Sequence, residues 1–178
     1  MSGTSGWLEM AKMQVGSGLD QYIAELNRLA INTKEVIGRS IYVGADIVAD
    51  QIRANIEKLQ VSNSPKRGTP SDPIDTITTA QKTGLLQGFG ISGLATTDGI
   101  TNVKLGFDGY NSQVATTSVK AKWTDKRQAN IMIARAVEGG TSFRRKHPFV
   151  APAVRKTRKK AEAAMAEQLD KEIEKAMK

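Results

Sequence analysis

Cysteine is absent from all 178 residues. That excludes disulfides, a thiol nucleophile and any cysteine-ligated metal, and it suits a reducing cytoplasm. Histidine occurs once, as His147. A metal site needs several convergent ligands, and a Ser–His–acid site would have to use His147 as its base with no nucleophile elbow nearby. Between Lys146 and Pro148 it reads as an exposed or hydrogen-bonded loop residue. Aromatic residues make up 5% of the chain and hydrophobic residues 39%. Both values predict a modest core and substantial exposed or intersubunit surface. No apolar run approaches the ~20 residues of a membrane span. The N-terminus has no basic region followed by an apolar stretch, so no signal peptide is expected. Glycines are frequent but fit no phosphate loop: Gly88-Phe89-Gly90 lacks the further glycine and helix of a dinucleotide fingerprint, and Gly68-Thr69 lacks a Walker ending. The expectation is a non-enzymatic chain without cofactor or metal.

What is present is charge of one sign in one place. The net charge is +8, and residues 144–178 hold eleven Lys/Arg against five Asp/Glu. A basic end points to nucleic acid or to an acidic protein partner. The cluster Arg144, Arg145, Lys146, Arg155, Lys156, Arg158, Lys159 and Lys160 therefore has two readings. Phosphate contacts would make binding steeply salt-dependent; the alternative is ion pairing between subunits. Few aromatics accompany the charge, only Phe143 and Phe149, so protein contacts are favoured over base stacking.

Along the chain the pattern predicts one α+β domain: a small, mostly antiparallel sheet flanked by a long helix in the N-terminal half and a C-terminal helix. Residues 1–18 read as a mobile arm with a short strand at Ala11, Met13 and Val15. Residues 19–178 form the domain. A helix from about Leu19 carries Tyr22, Ile23, Leu26 and Leu29 on one side. A second, capped by Thr33, runs to Leu59 on the stripe Ile37, Ile41, Ala45, Val48, Ile52 and Ile56. Gly38 and Gly44 weaken it or admit a close neighbour. Residues 61–82 read as a long polar loop, either mobile or an arm reaching another subunit.

Leu85, Phe89 and Ile91 share one parity and predict a strand softened by glycines at 84, 88, 90 and 93. With Val103, Leu105 and Phe107 across an Asp98-Gly99 turn, it forms a hairpin. Val119, Ala121 and Trp123 predict a third strand. Residues 126–138 read as a short helix ended by Gly139-Gly140. The last helix, from about Pro152 to Met177, has a narrow stripe of Ala161, Met165, Leu169, Ile173 and Met177, with Arg158/Glu162 and Glu167/Lys171 as i,i+4 pairs. So thin a stripe suits a helix lying across a sheet or in a neighbour's groove.

The most distinctive local device is Pro148-Phe149-Val150-Ala151-Pro152. Its prolines hold the residues before them extended. Phe149 is then either a preorganised anchor for a partner or a plug in the domain's own core. Glu138, ending a helix beside two glycines, reads as holding the loop through backbone N–H groups, with Arg135 one turn earlier placed to pair with it.

Glu138-Gly139-Gly140-Thr141, a short spacer, then Pro148-Phe149-Val150-Ala151-Pro152-Ala153 before a charged helix resembles the tail-completion, or neck, family of long-tailed bacteriophages. The order of the other elements is similar too, including Lys82-Thr83-Gly84-Leu85-Leu86 at the opening of the hairpin. The chain departs from the pattern at Gly139, where a larger residue is usual, and in its basic spacer.

The resemblance implies a ring, typically six-fold, at the head-proximal end of the tail. Such a ring ends tube growth and contacts the tail tube protein and the connector, in the virion and in the host cytoplasm during assembly. The contact residues expected on this reading of the chain are Glu138, Thr141, Arg144, Arg145, Pro148, Phe149, Pro152, Arg155 and Arg158. Glu138 and Thr141 would fix the loop, Pro148, Phe149 and Pro152 would make the contact, and the arginines would pair across subunits. The alternative reading is a basic DNA-binding or packaging-associated protein.

Overall fold

The computed structural model describes residues 20–63, 68–97, 100–114 and 127–176. The expected N-terminal arm and strand, the Asp98-Gly99 turn and the third strand at Val119–Trp123 lie outside these residues. The described chain is α+β: α1 (Asp20–Glu57), α2 (Thr79–Gly88), β1 (Phe89–Ile91), β2 (Ala95–Thr97), β3 (Ile100–Asn102), β4 (Leu105–Phe107), β5 (Tyr110–Val114), β6 (Arg127–Ala129), α3 (Asn130–Gly139) and α4 (Val150–Ala176).

The two expected N-terminal helices are one. α1 is continuous over 38 residues, about 57 Å at 1.5 Å per residue. Thr33 lies inside it and starts no separate helix, because no glycine or proline interrupts residues 20–37. The buried face is Val36, Ser40, Ala45, Ala49, Ile52 and Ile56, while Ile37 faces outward. Ser40 spends its hydroxyl on the Val36 carbonyl (3.0 Å), the satisfied state a buried hydroxyl requires.

α4 packs antiparallel along α1, in its own chain rather than in a neighbour's groove or across a sheet. Gly44 makes this approach possible: a Cβ there would meet Cγ of Met165 at 2.5 Å and the Ala161 carbonyl at 3.5 Å. Further along, Arg39 bonds Glu172 at 3.3 Å. At the other end the Asn55 amide donates to the Phe149 carbonyl at 2.9 Å. The stripe expected on α4 thus begins earlier, at Ala153 and Thr157, which are buried with Ala161. Its small residues are what let two helices approach closely.

Of the strand expected over Leu85, Phe89 and Ile91, only Phe89–Ile91 is strand, and Leu85 lies in helix α2. Thr78 and Gln81 form a reciprocal capping box at the start of α2: Thr78 Oγ1 accepts from Gln81 N (3.1 Å) and Gln81 Oε1 from Thr78 N (3.1 Å). Gly84 and Gly88 mark where other chain segments press on this helix. A Cβ on Gly84 would lie 2.5 Å from Asn111 Cβ and from Asn130 Oδ1; one on Gly88 would strike the Asp108 carbonyl.

The hairpin forms in two steps. β1 pairs antiparallel with β4, Phe89 opposite Phe107, and β2 with β3, Ala95 opposite Asn102. Residues 92–94 face only 103–104, an extra residue of the kind that bends a ladder. β5 and β6 form a further antiparallel pair, Tyr110 opposite Ala129, where neither strand was expected. Each sheet has two strands among the described residues. The core lies where α1, α2, α3 and the start of α4 meet β1 and β4, around Ile52, Ile56, Ile77, Leu85, Phe89, Val137 and Phe149.

The described part of the 61–82 segment is tied to its own chain rather than reaching away. Ser62 N donates to Ile77 O (2.9 Å), Ile77 N to Gln60 O (3.0 Å), and Ile74 pairs with Arg144. Ile77, 2% exposed, is the apolar pin that holds it.

Candidate functional site

α3 ends at Gly140, whose φ of 76° is available to glycine at little cost. The turn brings Glu138 to the start of α4. Its Oε2 accepts from the N–H of Phe149 (2.7 Å) and of Val150 (2.9 Å), and its Oε1 from Ala151 (2.9 Å). The first turn of a helix has N–H groups without intrahelical partners. A carboxylate placed there also meets the positive end of the helix dipole. Glu138 therefore caps a helix that begins twelve residues later in sequence, at Val150. Both of its oxygens are committed to backbone; no ion pair joins it to Arg135 among the described residues.

Phe149 is the centre of this buckle. Its N–H is held by Glu138, its carbonyl by Asn55, and its ring is 2% exposed. The ring meets Phe107 edge-on, centroids 5.9 Å apart, and Phe107 meets Phe89 at 5.1 Å. Arg53 lies over the Phe89 ring at 5.4 Å. An aromatic row thus links α4, the hairpin and α1, and such pairs add about 0.5–1.5 kcal/mol each beyond burial. Phe149 is a plug of its own core and is not presented as an anchor to a partner. The physical reason is the apolar space left between β4 and α1, which a ring of this size fills. Pro148 is exposed and Pro152 half-buried. They line a cleft of ≈ 260 Å³ with Asn55, Lys58, Leu59 and His147.

Thr141 and Arg144 close a tight turn: Thr141 N donates to Arg144 O (2.9 Å) and Arg144 N to Thr141 O (3.2 Å). The Arg144 guanidinium donates to the Thr76 carbonyl at 2.6 Å. Burial lowers its pKa from the ordinary arginine value; arginine remains charged regardless. Arg145 approaches Asp75 at 3.5 Å, and His147 Nε2 the same carboxylate oxygen at 3.7 Å.

Arg158 bonds Glu162 at 2.8 Å and Lys171 bonds Glu167 at 2.6 Å, both i,i+4. The hydrogen bond to Glu162, then its charge, raises Arg158; the bond from Lys171, then its charge, lowers Glu167. Arg155 is exposed and has no ion pair among the described residues.

The fold thus gathers Glu138, Pro148, Phe149 and Pro152 at one point, with Thr141, Arg144 and Arg145 in the adjoining turn. Arg155 and Arg158 lie apart along α4, and Arg158 is engaged within its own helix. Four contributors were not anticipated: Asn55, Asp75, Thr76 and Asn130. Asn130, 3% exposed, donates to Asp108 O at 2.8 Å and so pins β5 to α3. Among the described residues no group of three or more His, Asp or Glu is placed to hold a metal ion, and no helix is long and apolar enough to cross a membrane.

Comparison with family models, with curated proteins and with solved structures finds nothing that matches this chain.

Proposed function

We propose that this chain is a non-enzymatic morphogenesis protein of a long-tailed bacteriophage. In this reading it forms a ring at the head-proximal end of the tail, ends tube growth and joins the tail to the connector. One observation carries the proposal: the residues on which the family resemblance rests are bonded to one another. Glu138 holds the backbone of Phe149, Val150 and Ala151, and Gly140 supplies the turn that lets it do so. A motif whose separated halves clasp each other is a structural unit, and a chance match of short words has no reason to do this. The unit's chemistry is shape and rigidity, which suits an assembly part.

Contact with copies and neighbours falls to the exposed surface, since Phe149 is used internally. Met132 on α3 is 61% exposed, Tyr110 on β5 53% and Phe143 51%; large side chains of this kind supply interface energy. The test is native mass spectrometry with negative-stain electron microscopy of the purified full chain, alone and mixed with tail tubes. Closed rings, alone or seated on tube ends, are expected. A monomer that ignores tubes would overturn the reading.

A further inference from the structure

Among the described residues, some cations are paired with carboxylates and others are not. Arg39, Arg53, Arg145, Arg158 and Lys171 each lie within 4.0 Å of a carboxylate. Arg155, Lys156, Lys159 and Lys160 do not, although all four are exposed on α4. Their spacing places them on one face: 155 with 159 and 156 with 160 are i,i+4 neighbours, and the two pairs are adjacent. Arg158 lies off this face. Lys156 and Lys160 line a groove against α1 with Ile47, Asp50, Gln51 and Ala54. The acidic groups bordering the face are already occupied, Asp50 by Arg53 at 3.2 Å and Glu162 by Arg158. One turn before Arg155, the cleft at Pro152 adds Lys58 from the end of α1.

We infer that this face binds the phosphate backbone of duplex DNA without reading its sequence. Cations dominate the face and no aromatic residue lines its groove; the uncharged residues there are Ile47, Gln51, Ala54 and Thr157. Protein interfaces deplete charge at their core and place aromatic residues there, the opposite of this arrangement. Single strands are held by stacking on aromatics, and none lies on this face: Phe149 is buried and Phe143 belongs to the loop before α4. What remains is a short double row of exposed cations on a helix. From Arg155 to Lys160 it is about 7.5 Å long at 1.5 Å per residue. A duplex presents one charge per ≈ 1.7 Å of axis, so phosphates are sufficient for the cations along such a row.

The inference stands independently of ring formation and is tested on the isolated full chain. The probe is a fluorescent duplex of arbitrary sequence, titrated at several salt concentrations. Four phosphate contacts predict a log–log salt slope of roughly −3.6, a loss on the order of 100-fold in affinity between 50 and 200 mM salt. R155Q/K156Q/K159Q/K160Q keeps good helix formers at exposed sites, and circular dichroism checks that it folds. It is expected to lose at least tenfold in duplex affinity and most of the slope. K171Q/K175Q, which changes the far end of α4, is expected to leave both intact. No duplex binding at low salt, an unchanged slope in the quadruple variant, or tighter binding of polyglutamate than of duplex would each overturn the inference.

Discussion

Replacing Glu138 by alanine removes the cap of α4 without touching α4 itself. Three N–H groups lose their acceptor. Ala151 is exposed, so water replaces its bond at little cost. The donors of Phe149 and Val150 are partly buried, and each loses about 1–1.5 kcal/mol when left without a charged acceptor. The expected loss is about 2–3 kcal/mol, at or just above the upper end for helix caps. In a chain of this length each kcal/mol moves Tm by about 2–4 °C, so thermal unfolding should fall by roughly 5–10 °C. Glu138→Gln keeps one acceptor but turns an NH₂ toward the helix, and should fall between wild type and alanine. Amide hydrogen exchange supplies the local readout: protection at Phe149, Val150 and Ala151 should drop before that of α1. A Tm change below about 1 °C for Glu138→Ala, or a glutamine variant equal to wild type, would refute the argument that the carboxylate holds the helix.

Other perturbations follow from the same geometry. Phe149→Ala empties a fully buried site and should cost about 3–5 kcal/mol, read by denaturant unfolding. Gly84→Ala should destabilise by roughly 1–3 kcal/mol despite alanine's helix preference of about 1 kcal/mol, because its Cβ meets Asn111 and Asn130. Gly90→Ala, with nothing within 4 Å, is the control and should change little. Lowered by Lys171, Glu167 keeps its pair at neutral pH; the pair is lost only as pH falls through that lowered value. Circular dichroism of α4 should respond weakly, and less still in high salt, since exposed pairs are screened.

The long helices were legible because an apolar period survives in them: Ala45, Val48, Ile52 and Ile56 mark the packed side of α1 whatever lies opposite. The boundary at Thr33 was not, since a residue suited to capping also sits inside a helix when nothing breaks the chain before it. α2 reads as strand in the sequence because Gly84 and Gly88 look like strand softeners. They are holes into which Asn111 and Asn130 fit, and only the partner chain segments reveal that. The local signal for this helix is the Thr78-x-x-Gln81 box. β5, with Tyr110-Asn111-Ser112-Gln113, has no alternation, and its pairing with β6 is dictated by Asn130, the Gly109 carbonyl and the turn of α3. At the site, the role of Glu138 toward backbone N–H groups was anticipated, but not that those groups belong to the first turn of α4. The choice between anchor and plug for Phe149 turned on Phe107 and Asn55, which lie 42 and 94 positions away in sequence.

The most direct test of the proposed function, which assigns this chain to a phage, is electron microscopy of lysates made with its gene deleted. The account predicts filled heads separated from tails, or tails of uncontrolled length, with normal virions restored by the wild-type chain and not by Phe149→Ala. Normal virions in the deletion lysate would contradict it.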